Sequence, residues 1–273
     1  VMPDWIDGQP AQTLSVKDRG LAYGDGLFET IAVMAGQPSL LERHMRRLSN
    51  GCDRLAIPAD LPLIREELAA FAAQLGNGVM KLIVTRGDGQ RGYAPSLDAQ
   101  PRRILQGSLL PAYPSANAEE GISLFPCTTR LAEQPLLAGL KHLNRLEQVL
   151  ARSEWQDVTY AEGLMRDGSG RIIEGVYSNL FLIKDQALQT ADLSRCGVAG
   201  VMRAELLEQA RSLGIACEVR DIHDIDLQQA DEVFVCNSVY GVWPVRRFEQ
   251  LSWPVGSLTR KLQRTALALL DIA

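Results

Sequence analysis

Apolar and polar residues alternate over Leu27-Phe28-Glu29-Thr30-Ile31-Ala32-Val33, the period of a strand with one buried face, and Ala35-Gly36-Gln37-Pro38 follows as a turn. Beyond it Leu41, His44, Leu48, Cys52 and Leu55 recur at the spacing of one helical face. A second helical pattern runs from Leu63 to Leu75 and stops at Gly76-Asn77-Gly78, after which Val79 to Thr85 and Ile104 to Leu109 read as strands. The run Pro-Ala-Tyr-Pro-Ser-Ala-Asn-Ala from Pro111 to Ala118 is rich in breakers and poor in large apolar residues, which predicts a linker. The expected organisation is an N-terminal α+β domain over 1–113, a linker over 114–118 and a C-terminal α/β domain over 119–273. In the last, a strand is expected near Ile122 to Cys127 and helices over about Leu143 to Trp155, Met202 to Leu213 and Leu258 to Leu270. Polar turns of the kind that join hairpins stand at 167–170 and 184–186. Two domains on a short linker predict a ligand cleft at their junction.

Composition narrows the function classes. The 273 residues are 46% hydrophobic and 22% charged, as in ordinary globular proteins. Lys+Arg number 28 and Asp+Glu 33, a net charge of −5, so no basic field exists to attract nucleic acid or anionic lipid. The segment Val1-Met2-Pro3-Asp4-Trp5-Ile6-Asp7-Gly8 has no signal-peptide core, and nowhere do about eighteen apolar residues run uninterrupted; no membrane span and a cytoplasmic location are expected. Cys52, Cys127, Cys196, Cys217 and Cys236 form no C-x-x-C pair, and His44, His142 and His223 are scattered, so reduced thiols and no metal site are expected.

Gly87-Asp88-Gly89-Gln90-Arg91-Gly92 follows a strand and matches G-x-G-x-x-G, but a dinucleotide fingerprint must open a helix. Here Tyr93-Ala94-Pro95-Ser96 follows, with proline in what would be the first turns and no acid about twenty residues on. The expectation is a glycine loop whose Arg86 and Arg91 can hold a carboxylate by bidentate pairing. Lys17, Lys81, Lys184 and Lys261 fit surface positions. Lys141 lies between Leu136-Leu137-Ala138-Gly139-Leu140 and His142-Leu143-Asn144, an apolar setting that favours amine chemistry on carbonyls, although by composition a lysine reaching out to solvent is the commoner case. Gly197 and Gly200 precede the helical pattern from Met202, a place where exposed N–H groups and the helix dipole attract anions. Glu232 to Ser238 reads as a buried strand ending in two polar residues. Glu174 interrupts an apolar strand before Gly175, and an inward carboxylate there requires a cationic or protonated partner.

Taken together, the segments from Asp18-Arg19-Gly20-Leu21-Ala22-Tyr23-Gly24-Asp25-Gly26-Leu27-Phe28-Glu29-Thr30 to Asn237-Ser238 resemble the fold-type IV pyridoxal-phosphate enzymes, a family of D-amino-acid and branched-chain aminotransferases and related lyases. Leu140-Lys141-His142-Leu143-Asn144-Arg145-Leu146-Glu147-Gln148-Val149-Leu150 and Arg86-Gly87-Asp88-Gly89-Gln90-Arg91-Gly92-Tyr93 are most similar to its lyase branch, which acts on 4-amino-4-deoxychorismate. The resemblance implies a mixed α+β and α/β two-domain architecture with pyridoxal 5'-phosphate in the interdomain cleft, and a homodimer whose active site is completed across subunits. It implies that Lys141 holds the cofactor covalently and that Glu174 stands beside the pyridine nitrogen, keeping it protonated. Arg47, Val201 and Met202, and Asn237 with Ser238, match the groups that hold the phosphate. Arg91 and Tyr93 match substrate-binding positions, and Thr30, which shares a strand face with Phe28, matches one that assists the leaving group. The implied activity is elimination of pyruvate to leave 4-aminobenzoate, a folate precursor; aminotransfer on the same fold is the alternative.

Overall fold

The computed structural model describes residues 2–270. Backbone contacts divide the chain into two compact units, Val1–Pro111 with Leu140–Asn144, and Ala112–Gly139 with Arg145–Ala273.

In the first unit β1 (Asp4–Ile6), β2 (Gln9–Pro10), α1 (Arg19–Tyr23), β3 (Gly26–Met34), β4 (Gln37–Pro38), α2 (Leu41–Leu55), α3 (Leu61–Leu75), β5 (Gly78–Thr85) and β6 (Arg102–Ser108) follow in order. Among the described residues its strands form one six-stranded antiparallel sheet, ordered β2-β1-β6-β5-β3-β4. β3 keeps the expected alternation: Leu27, Glu29, Ile31 and Val33 are buried, while Phe28 and Thr30 are half-buried. The helices begin and end where local chemistry dictates. Asp60 accepts the Leu63 N–H at 3.0 Å with proline in the first turn of α3, and α2 stops at Ala56 in the left-handed region. Ile31, Leu48, Ile64, Leu68, Phe71, Met80, Leu82 and Leu105 are almost wholly buried, each contributing on the order of 1.5–3 kcal/mol by leaving water.

The second unit carries α4 (Ser115–Glu119), β7 (Ile122–Leu131), α5 (Leu146–Arg152), β8 (Tyr160–Asp167), β9 (Ile172–Gly175), β10 (Asn179–Lys184), β11 (Ala187–Ala191), α6 (Val201–Ser212), β12 (Cys217–Arg220), α7 (Asp224–Gln229), β13 (Glu232–Asn237), β14 (Gly241–Phe248), β15 (Leu251–Ser252) and α8 (Ser257–Leu270). Among the described residues its strands form a nine-stranded sheet, ordered β12-β11-β10-β13-β14-β7-β8-β9 with β15 beside β14. The β11–β12, β14–β7 and β7–β8 pairs are parallel and the others antiparallel. Leu124, Leu164, Ile172, Leu180, Leu182, Val233, Val235 and Val245 belong to one buried cluster over which the sheet is built. The β10–β11 hairpin turns at Asp185 and Gln186, both with positive φ, which matches the right-handed twist of the paired strands.

Two expectations differ from the structure. The breaker-rich run assigned to a linker over 114–118 contains α4, because Pro114 suits the position before a first turn and Arg260 and Gln263 of α8 donate to the Ala118 carbonyl at 2.7 and 2.9 Å. The helix expected from Leu143 begins only at Leu146. Residues 140–144 are extended instead and pair with the start of β3: Phe28 N–H donates to the Lys141 carbonyl at 2.9 Å and Leu143 N–H to that of Gly26 at 3.1 Å. Lys141, expected in the C-terminal domain, therefore groups with the first unit. No helix of the described residues is long and apolar enough to cross a membrane.

Candidate active site

In the first unit two amines and a buried ion-pair network lie along the first half of β3. The half-buried Lys141 extends its Nζ to 4.2 Å from the centre of the Phe28 ring, and Lys81, on the neighbouring strand β5, brings its own amine to 5.3 Å from that ring. Thr30 shares the half-buried phase of β3 with Phe28. On the buried phase Glu29 takes up Arg47 of α2 in a fork, Nε to Oε1 at 2.8 Å and an η-nitrogen to Oε2 at 2.5 Å, and His44 Nδ1 lies 2.5 Å from Oε2. Burial alone raises the Glu29 carboxyl, but the Arg47 charge and the hydrogen bonds of Arg47 and His44 outweigh it and hold the group at about 2. Burial pushes the His44 imidazole down, so the neutral ring donates from Nδ1 and leaves the lone pair on Nε2, which has no hydrogen-bond partner among the described residues. Arg47 thus has its orientation fixed from behind by an anion that stays ionised throughout the ordinary pH range.

In the second unit Glu174 is buried at the end of β9, and its Oε2 accepts the Val198 N–H at 2.8 Å and the Asn179 Nδ2–H at 3.3 Å. The Asn179 amide also donates to the Val198 carbonyl at 2.9 Å, so β10 and the Gly197-Val198 turn aim the carboxylate together. Arg145 and Arg203 supply the cationic neighbourhood that an inward carboxylate requires; burial lowers both guanidiniums, and the Glu174 charge opposes that. Val201 and Met202 are the first residues of α6, whose N-cap Gly200 offers no side-chain cap, so the first N–H groups of a twelve-residue helix are left for an anion. A Cβ on Gly200 would stand 2.0 Å from Asn179 Oδ1, so only glycine lets the helix begin this close to β10. Asn237 ends β13 and is occupied by the turn: its Oδ1 accepts the Val239 and Tyr240 N–H groups at 2.9 and 3.0 Å, and Ser238 lies within that turn.

The glycine loop after β5 opens no helix. Arg19 holds it down: Nε donates to Asp25 at 2.8 Å and the two η-nitrogens to the Gly92 and Tyr93 carbonyls at 3.0 and 2.7 Å. Arg91 is exposed, and Tyr93, 84% exposed, rests its ring 5.3 Å from that of Tyr23. Arg86 holds a carboxylate by bidentate pairing, as expected, but the carboxylate is that of Asp25 in the same chain. Its guanidinium is buried, forked onto Asp25 at 2.8 and 3.1 Å and donating to the Leu55 and Ala56 carbonyls, so it caps the end of α2 rather than waiting for a ligand.

The structure thus places Lys141 beside Phe28 and Thr30 on the same half-buried phase of β3, Arg47 on Glu29 of the buried phase, and Glu174 with the start of α6 in the second unit, while Arg91 and Tyr93 stand out on a tethered loop. Sequence reasoning missed Glu29, Asn179, Arg145 and Arg203. A signal existed for Glu29, which occupies the apolar phase of an alternating strand; Arg145 and Arg203 lie 29 residues either side of Glu174, too far for periodicity to show, and Asn179 meets it only because the chain turns back between β9 and β10.

The sequence profile of the family described as Amino-transferase class IV matches residues 26–248. Aminodeoxychorismate lyase of Vibrio harveyi is 38% identical over 264 residues, 95% of this chain and 97% of that protein. The crystal structure of 4-amino-4-deoxychorismate lyase from Pseudomonas aeruginosa superposes with a TM-score of 0.97 at 63% identity, covering 98% of this chain and 100% of the other. Branched-chain amino acid aminotransferase of Escherichia coli shares the fold at 24% identity and a TM-score of 0.86, over 98% and 94% of the two chains. With an antiparallel-sheet unit, a mixed-sheet unit and a profile match that spans most of its length, this chain belongs to the class IV aminotransferase family, of fold type IV.

Proposed function

We propose that this protein is a pyridoxal-phosphate-dependent carbon–oxygen lyase that converts 4-amino-4-deoxychorismate to 4-aminobenzoate and pyruvate. The observation that carries the reading is the 63% identity to the Pseudomonas aeruginosa lyase along nearly the full length of both chains. The family depends on pyridoxal phosphate. The residues present fit that group: an amine held beside an aromatic ring, a helix start with no side-chain cap and no room for a Cβ, an arginine oriented by a buried carboxylate, and a second buried carboxylate among arginines.

Lys141 would hold the cofactor by its aldehyde carbon, Glu174 its ring nitrogen, and Arg47, the N–H groups of Val201 and Met202, and the Asn237-Ser238 turn its phosphate. When bound, the cofactor exchanges one amine for another at its aldehyde carbon and accepts into its ring the electron pair of a breaking carbon–hydrogen bond. Once freed, Lys141 Nζ removes the proton from the substrate carbon that bears the amine. Glu174, whose Oε2 accepts the Val198 N–H at 2.8 Å, would stand beside the ring nitrogen and help it keep a proton. Thr30 offers a hydroxyl to the departing enolpyruvyl oxygen, and Arg91 and Tyr93 receive substrate carboxylate. The carbon–hydrogen and carbon–oxygen bonds break, a ring double bond forms, and the gain of aromaticity draws the reaction forward.

The working unit in this reading is a homodimer in which the Arg91 loop completes the partner's site; Leu146, Val149 and Leu150, one apolar face of α5 left exposed, support it. A cytoplasmic setting is in keeping with five free cysteines among the described residues, four of them buried. The deciding experiment feeds 4-amino-4-deoxychorismate to the cofactor-loaded protein without any keto acid. Equimolar pyruvate and 4-aminobenzoate are expected, and borohydride treatment followed by peptide mapping should place the reduced cofactor on Lys141. Faster turnover of D-alanine with 2-oxoglutarate, or label on another lysine, overturns the assignment.

A further inference from the structure

Glu162, on β8, has no exposed surface, yet nothing in the proposed chemistry uses it. Its two oxygens are fully engaged. Oε1 accepts the Gly163 and Val176 N–H groups at 2.8 and 3.0 Å; Oε2 accepts the Tyr177 N–H at 3.2 Å and the Ser178 hydroxyl at 2.7 Å. Three of these four donors belong to the turn from Gly175 to Ser178 that joins β9 to β10, closed by the Gly175 N–H on the Ser178 carbonyl at 2.8 Å. The residue just before that turn is Glu174 and the residue just after it is Asn179, which donates to Glu174. Packing leaves no slack, since a Cβ on Gly175 would stand 2.2 Å from Ser178 Oγ and 2.8 Å from the Glu162 carboxyl carbon. A carboxylate taken fully out of water costs several kcal/mol unless hydrogen bonds replace its hydration. Burial still raises this one to about 7 against the pull of its four donors. A turn that needed only stability would be served as well by an apolar filling.

We propose that Glu162 is a positioning residue for Glu174: by gripping the N–H groups of Val176 and Tyr177 and the hydroxyl of Ser178, it fixes the turn whose two ends are Glu174 and Asn179, and so fixes where the Glu174 carboxylate points. The inference rests on the reading of Glu174 as the partner of the cofactor ring nitrogen. Glutamine keeps the shape of Glu162 but turns an NH2 toward backbone N–H groups that only donate, those of Gly163 and Val176 in one orientation and that of Tyr177 in the other, where the Ser178 hydroxyl alone can reverse to accept, so it releases part of the turn without opening a cavity.

The test compares Glu162→Gln, Ser178→Ala and Glu174→Gln with the unaltered protein. Each is measured for amide exchange at Val176 and Tyr177 without cofactor, for the magnetic resonance signal of the isotopically labelled ring nitrogen with cofactor, and for kcat and KM. Glu162→Gln should speed the exchange and move the ring-nitrogen signal toward its unprotonated position. It should also lower kcat about tenfold while leaving KM nearly unchanged. Ser178→Ala should shift all three in the same direction by less. Faster exchange with an unmoved ring-nitrogen signal and normal kcat would reduce Glu162 to a stabilising role and overturn the inference. If Glu162→Gln fails to fold, Ser178→Ala decides: unchanged exchange, signal and kcat there overturn it too. A signal moved by Glu174→Gln but not by Glu162→Gln defeats the inference alone. One moved by Glu162→Gln but not by Glu174→Gln defeats the reading of Glu174 and the inference with it.

Discussion

Glu29 stands in the apolar phase of β3, where an acid would be expensive if its charge were not met at once by Arg47 and His44. Because its folded carboxyl titrates near 2 against an ordinary value of 4.5, the pair contributes fully above pH 4.5 and its contribution drains away as pH falls from there toward 2. Glu29→Gln should therefore flatten the acid-side loss of Tm. It should also destabilise the protein near neutrality by on the order of 3–5 kcal/mol, because the carboxylate onto which Arg47 is forked loses its charge. Thermal melts across the acid range check both, and parallel curves for the two proteins would refute the account. Glu174→Gln tests the other buried acid: cofactor should still bind, since the phosphate contacts do not involve this residue, while kcat falls by about 10²-fold or more. Undiminished turnover would remove the role given to Glu174. Of the residues given a role in the proposed function and the further inference, Lys141 and Glu174 stand out in the sequence because each is a charge in an apolar run. Glu162 does not, because only the fold shows the β9–β10 turn wrapped around it.

At the scale of elements, alternation and helical spacing locate β3, α2, α3, β5, α6 and α8 to within about two residues, a margin natural to frayed ends. What they mistake is tertiary. The run from Pro111 to Ala118 lacks large apolar residues, so it reads as a linker, but α4 is held through its Ala118 carbonyl by the Arg260 and Gln263 side chains of α8, more than a hundred residues away. Leu143 and Asn144, expected to open a helix, lie extended with the residues from Leu140, because the edge of β3 offers this strip hydrogen bonds. The loop after β5 shows the same dependence. Its shape is set by Arg19, whose fork reaches the Gly92 and Tyr93 carbonyls, so a lysine at that position would keep the charge and lose the grip. Arg19→Lys should raise KM about tenfold, as Arg91→Ala should, with kcat and the cofactor absorption nearly unchanged. A changed absorption spectrum with normal KM would assign the loop to some other task.

For the molecule as a whole, the apolar face of α5 supports the proposed pairing of two copies. Leu146 and Leu150 lie one turn apart and are both exposed, so changing both to lysine places like charges on any self-facing surface. Sedimentation should then report a monomer with an unaltered melt and little activity; an intact dimer would move the interface elsewhere. The five residues from Leu140 to Asn144 carry a further consequence. They return from the later part of the chain to cover the edge of β3, so a fragment ending at Pro111 would leave the Phe28 amide without its acceptor and the border of the sheet bare. Recombination between relatives that exchanged only the first hundred or so residues would inherit the sheet from one parent and the strip bearing the lysine from the other. Gene halves of this family should therefore be poorly interchangeable unless both parents agree at that border.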